Sequence, residues 1–210
     1  MRLVLVALVV AGSSTGCLAQ DWEIGGGGGA GWSLDSSVAG GPNAVHTGYT
    51  PHGAFSVIWA ENPYSYIGGE LQYLFRAGGT ELKSNGITQA SSGYSNILVY
   101  NLTVHLTRRE SKVRPFVGVG AGIKIYTNSE RLLTQPLSGT ALLLQGTQVE
   151  PAISFDGGVK YLLPRHVQLR LDLHAFTSPT PDALIRTIGP AHIKGWIYDL
   201  VPTAGIAYVF

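Results

Sequence analysis

Apolar and polar residues alternate along most of the chain, and the period of two recurs in eight stretches. That is the pattern of half-buried β-strands. It is cleanest at 97–107, where Leu98, Tyr100, Leu102, Val104 and Leu106 share one face and Asn101, Thr103, His105 and Thr107 the other. At 148–162, Val149, Ile153, Phe155, Val159 and Tyr161 oppose Gln148, Glu150, Ser154, Asp156 and Lys160. The stretch 167–176 sets Val167, Leu169, Leu171, Leu173 and Ala175 against Gln168, Arg170, Asp172 and His174. Ile67, Leu71, Tyr73 and Phe75 oppose Glu70, Gln72 and Arg76 at 66–77, and Val117, Val119, Ile123 and Ile125 oppose Gly118, Gly120, Gly122 and Lys124 at 113–126. The remaining three stretches are 22–34, 53–61 and 196–210.

The connections alternate too. Residues 62–65, 108–112 and 163–166 are short turns, whereas the segments near 35–51, 78–95, 128–146 and 178–195 are long. Short turns at one end, long loops at the other and both termini on the short side predict an eight-stranded antiparallel up-and-down transmembrane β-barrel. An even strand count lets the last strand close against the first, leaving no unpaired edge in lipid.

A soluble lipocalin-like barrel has the same alternation with its polar face outward, and that face would be rich in Lys and Glu. Here the polar face is crowded with Gly, Ala and Ser and punctuated by single charges, which suits the cramped interior of a small barrel. Aromatics gather towards strand ends: Trp22, Trp59, Tyr161, Tyr208 and Phe210 at the short-turn side, and Trp32, Phe55, Phe75 and Tyr198 towards the other. Two interfacial girdles are placed that way.

Charged residues are 13% of the chain, about half the soluble norm of roughly 25%. Beyond the N-terminus no apolar run approaches the length of a spanning helix. Arg2, the apolar run Leu3 to Gly12 and small residues up to Ala19 read as a signal peptide over 1–19, cut between Ala19 and Gln20. The domain is then 20–210. Cleavage there removes Cys17, the only cysteine, and takes the formal charge from +1 to 0 by removing Arg2. A neutral chain gives no electrostatic case for nucleic acid.

The chain closes on Gly205-Ile206-Ala207-Tyr208-Val209-Phe210. With the leader, the eight strands and the turn–loop asymmetry, this Gly-x-x-Tyr-x-Phe motif resembles the small outer-membrane β-barrels of the OmpA/OmpX type, without a periplasmic domain. The resemblance covers 22–210. It implies a Gram-negative-type cell outer membrane, contact with its lipid and lipopolysaccharide, and insertion by the barrel assembly machinery, with Gly205, Tyr208 and Phe210 as the assembly signal.

Inward-facing charges are the remaining candidates for chemistry: Glu70, Arg76, Lys124, Asp156, Lys160, Arg170, Asp172 and His174. Buried charges persist when paired, so they read as a polar network plugging the barrel. No cofactor, metal or catalytic residue is expected. Gly26-x-Gly28-x-x-Gly31 has dinucleotide-fingerprint spacing, but a strand follows where that motif needs a helix. No His has a Ser two residues away, the spacing of lipid A deacylases, and His105 and His174 point inward. His46, His52 and His192 fall in or near loops.

The expected role is therefore a monomeric, non-enzymatic outer-membrane barrel, structural or surface-interacting, with recognition on its long loops. A narrow porin-like channel for small solutes or ions is the alternative, and a lipid A-modifying enzyme the third. Thr180-Pro181-Asp182 with Gly189-Pro190 predicts a short helix in the last long loop. The apolar segment 131–146 predicts an upward extension of the fifth and sixth strands as a hairpin. Pro202 requires a bulge or local break in the last strand, and Pro151 a position above the membrane.

Overall fold

Eight strands carry the alternation into a closed wall in the computed structural model: β1 (Trp22–Leu34), β2 (His52–Glu61), β3 (Ile67–Ala77), β4 (Gly93–His105), β5 (Val113–Asn128), β6 (Gly146–Leu162), β7 (Val167–Pro179) and β8 (Trp196–Val209). The structure describes residues 22–34, 36–39, 45–84, 87–129, 141–187, 192–193 and 195–210. The leader 1–19 with its Ala19–Gln20 junction lies outside them, as do Leu132, Leu133, Leu137, Gly189 and Pro190.

Each strand pairs antiparallel with its chain neighbours, and β1 closes against β8 from Glu23↔Val209 to Leu34↔Tyr198. Phe210 N–H donates to Trp22 C=O at 2.9 Å, and Trp22 N–H returns a bond of 3.1 Å. The β1–β8 ladder lapses at Ala30 and Gly31, opposite Pro202 and Val201, and resumes in the same register. Pro202 therefore meets its missing N–H with a break and no bulge, and still pairs with Leu173 on its other side. Pro151 pairs with Ile123 of β5, two residues before β6 enters its ladder with β7 at Ile153↔Thr177.

Large apolar side chains cover the outside, with Leu171 65%, Ile206 61% and Leu102 54% exposed. A wall of this kind belongs in hydrocarbon, where the ladder satisfies every backbone group and the apolar band meets lipid tails. Trp22 stacks on Trp59 at 5.4 Å and Tyr208 on Phe210 at 6.2 Å at the short-turn end; Phe75 stacks on Tyr94 at 5.8 Å towards the other.

The long connections fold on themselves. Strands 192–193, 36–39, 45–49, 80–84 and 87–90 form a five-stranded sheet in that spatial order. The helix expected after Pro181 is only one 3-10 turn, Asp182–Leu184. Ile185–Thr187 then extends to pair with Ala141–Leu143, a conformation that β-branched Ile185 and Thr187 favour. The same pairing corrects the expected hairpin. β5 and β6 do run up together to Asn128↔Gly146, but Ala141–Leu143 turns away to the neighbouring loop.

Candidate functional site

Side chains on alternate positions of the eight strands project into the lumen and pair there in tiers. At the short-turn end Glu23 of β1 accepts from Lys160 Nζ at 2.7 Å and Asn62 Nδ2 at 3.0 Å. Arg170 of β7 reaches across to Glu70 of β3 with both terminal nitrogens, at 2.9 and 3.2 Å, and donates from Nε to Asp172 at 2.9 Å. Paired forks of this sort satisfy guanidinium and carboxylate together.

A second polar tier lies above. His174 Nδ1 is 2.9 Å from Asp156 Oδ1, and the same ring meets Gln72 Nε2 at 3.0 Å and Thr203 Oγ1 at 3.2 Å. Asn101 donates to Asp156 and accepts from the Ser154 hydroxyl. Asp156, His174 and Thr203 have the connectivity of a catalytic acid, base and hydroxyl. The space beside Thr203 is walled by Gly26, Ser56 and Arg170 and admits little more than a water.

Next comes an apolar layer in the lumen itself, Ala54, Leu74, Ile97, Val99, Ala152, Phe176 and Val201, all buried. Above it Asp199 of β8 holds Arg76 Nη1 at 2.5 Å and also receives Lys124 Nζ and, at 2.5 Å, the Ser33 hydroxyl. Gly31 makes room for this: a Cβ there would meet Arg76 Nε at 2.7 Å. The tier is roofed by Tyr49, from the loop strand 45–49, and Tyr126. Lys124 Nζ lies 4.3 Å from the Tyr126 ring centroid and 5.4 Å from that of Tyr49, where a cation gains from the ring face. Burial pushes the Tyr49 phenol well above its ordinary pKa, helped by the neighbouring Tyr126 and Asp199.

All eight charges singled out in the sequence thus face the lumen, but in three separate tiers. Glu70, Lys160, Arg170 and Asp172 share the lowest, Asp156 and His174 the middle, Arg76 and Lys124 the highest. Three partners were missed: Glu23, Arg114 and Asp199. Parity could have found them, since Trp22 and Trp32 outward put Glu23 inward, Lys124 inward puts Arg114 inward, and Tyr198 outward puts Asp199 inward. Tyr208 and Phe210 lie on the outer face, about half exposed, and Gly205 pairs with both Gly27 and Arg170. Among the described residues no three His, Cys, Asp or Glu side chains come together as metal ligands, His46 and His52 included.

No protein-family model matches the chain, and no curated protein matches it. Solved structures do match. Outer membrane protein OprG of Pseudomonas aeruginosa superposes with a TM-score of 0.60 at 16% identity, over 91% of this chain and 96% of that one. Neisserial surface protein A superposes at 0.56 and 9% identity, over 90% and 97%. Outer membrane protein AlkL, solved in lipid bilayers, gives 0.53 and 15%, over 100% and 97%. The chain has the fold of the small outer-membrane β-barrels. At these identities the likeness is one of fold, and the tiered lumen must be read from this chain's own residues.

Proposed function

We infer that the protein is a closed, non-enzymatic barrel of the outer membrane, delivered by the leader 1–19 and inserted through a terminal signal made by Gly205, Tyr208 and Phe210. Its lumen is a structural plug, and its surface role belongs to the loop sheet at the long-loop end. The filled lumen carries this reading. Arg76, Lys124 and Lys160 are each at most 1% exposed, in a barrel whose strand number leaves an interior just wide enough for side chains. Ion pairs lie above and below an apolar layer, an arrangement that supports a plug.

The loop sheet supports the second half. Five short strands from three different connections pair into one platform, a more defined surface than independent loops provide, and loops on a rigid scaffold are where recognition sits. The apolar wall supports contact with membrane lipid and lipopolysaccharide, by a barrel read as a monomer. Planar-bilayer recording of the refolded chain tests the plug: a silent membrane is expected, and resolved single-channel steps would transfer the assignment to the narrow channel.

A further inference from the structure

The outward-facing positions of the eight described wall strands carry one charged side chain, Glu61 at the short-turn end of β2. Every other outward position on them is apolar, glycine, proline or an uncharged polar residue. Glu61 shares the parity of Phe55, Val57 and Trp59, which are exposed on the wall. Among the described residues its carboxylate has one side-chain partner, the Tyr100 hydroxyl, which donates to Oε1 at 3.0 Å. Two cations of the turn between β4 and β5 point elsewhere. Arg109 donates to Asn62 C=O, and Arg108 Nε donates to the Tyr66 hydroxyl at 3.3 Å.

The Tyr100 bond is built across a third strand. Glu61 pairs with Gly69 of β3 and Gly69 with Leu102 of β4, so Tyr100 stands one outward step nearer the bilayer centre. Its phenol lies over Gly69, where a Cβ would collide with the hydroxyl and come within 3.3 Å of Glu61 Oε1. The carboxylate is thereby drawn to the membrane side of the rim instead of turning into the water of the short turns. Trp22 is its partner across the β1–β2 ladder, and Trp59 precedes it by two residues on the same face. Those two indoles stack at 5.4 Å. Aromatics of this kind mark headgroup depth, where a carboxylate on the lipid face costs little.

A lone anion at that depth, with indoles beside it, is complementary to a small cation that carries N–H donors. We propose that Glu61 binds the primary ammonium of a phosphatidylethanolamine headgroup in the leaflet at the short-turn end. The ammonium donates to the carboxylate and lies against the Trp22–Trp59 pair, and its phosphate stays in the interfacial water. A choline headgroup has the same positive charge without an N–H, so it can make the aromatic contact only. The site rests on the membrane reading above and adds to it a headgroup preference that an apolar wall alone does not supply.

The test uses residues 20–210 carrying Trp32→Phe and Trp196→Phe, so that Trp22 and Trp59 alone report, both from the short-turn end. The chain is refolded into phosphatidylcholine vesicles and checked by gel mobility. Tryptophan quenching is then followed as phosphatidylethanolamine or phosphatidylcholine with brominated chains replaces the unlabelled lipid. The relative binding constant should favour phosphatidylethanolamine by about threefold, the size of an exposed ion pair, and fall to about one in Glu61→Gln. Tyr100→Phe, which keeps the carboxylate and removes the bond that orients it, should lie between the two. Equal quenching by the two headgroups, or a preference unchanged in both variants, overturns the proposal. A chain with no gel shift in any of these vesicles sinks the membrane reading itself, and the proposal with it.

Discussion

Asp199 and Arg76 meet across the lumen at 2.5 Å although their strands, β8 and β3, are separated in the wall by β1 and β2. With Lys124 of β5 on the same carboxylate, one acid ties three strands together. Asp199→Asn keeps the shape and leaves two buried cations uncompensated, an uncovered charge that costs about 3–5 kcal/mol. Urea unfolding should show a lowered midpoint of that size, and Asp199→Asn combined with Lys124→Met should regain part of it. An unchanged midpoint would mean the pair is not buried as described.

The outer wall makes a depth-dependent prediction. Leu171 is on the lipid face in mid-strand and Leu34 at the long-loop end of β1. Leu171→Arg should cost about 2–4 kcal/mol on refolding into vesicles, and Leu34→Arg about 0–1 kcal/mol. Equal costs at the two sites would contradict the placement of the belt.

Arg165 and His166, in the turn between β6 and β7, both have left-handed backbones, with φ of 66° and 63°. Side chains with a Cβ pay roughly 1–2 kcal/mol each for that conformation. Replacing the pair by Asn and Gly should therefore raise the urea midpoint. A lowered midpoint would show that the side chains, His166 being 6.2 Å from the Tyr208 ring, contribute more than the backbone loses.

Phe176 and Leu74 fill the apolar layer between the charged tiers. Removing both rings and branches, as Phe176→Gly with Leu74→Ala, should turn a silent membrane into one with resolved conductance steps, because water then bridges the two polar tiers. Continued silence would place the barrier in the ion pairs instead.

Strand positions and faces were legible because lipid leaves so few options: a charge on the outer face is costly, so apolar parity is kept strictly from Leu98 to Leu106 and from Leu169 to Leu173. Glu23 is hard to place because six of the thirteen residues of its strand are glycine, which leaves little alternation to read. Cross-lumen partners such as Arg170 and Glu70, 100 residues apart, depend on the stagger of the barrel and cannot be read along a single strand. The loop sheet was invisible for another reason. Strands such as 192–193 and 36–39 are too short to show any period, and they pair across different connections.

A closed barrel whose apolar face meets lipid should resist SDS until it is heated, so the gel mobility of refolded residues 20–210, boiled and unboiled, is the deciding measurement. A faster-migrating unboiled band that resists protease is the predicted result. A chain that stays soluble without detergent and migrates identically either way would contradict it and turn the polar face to water.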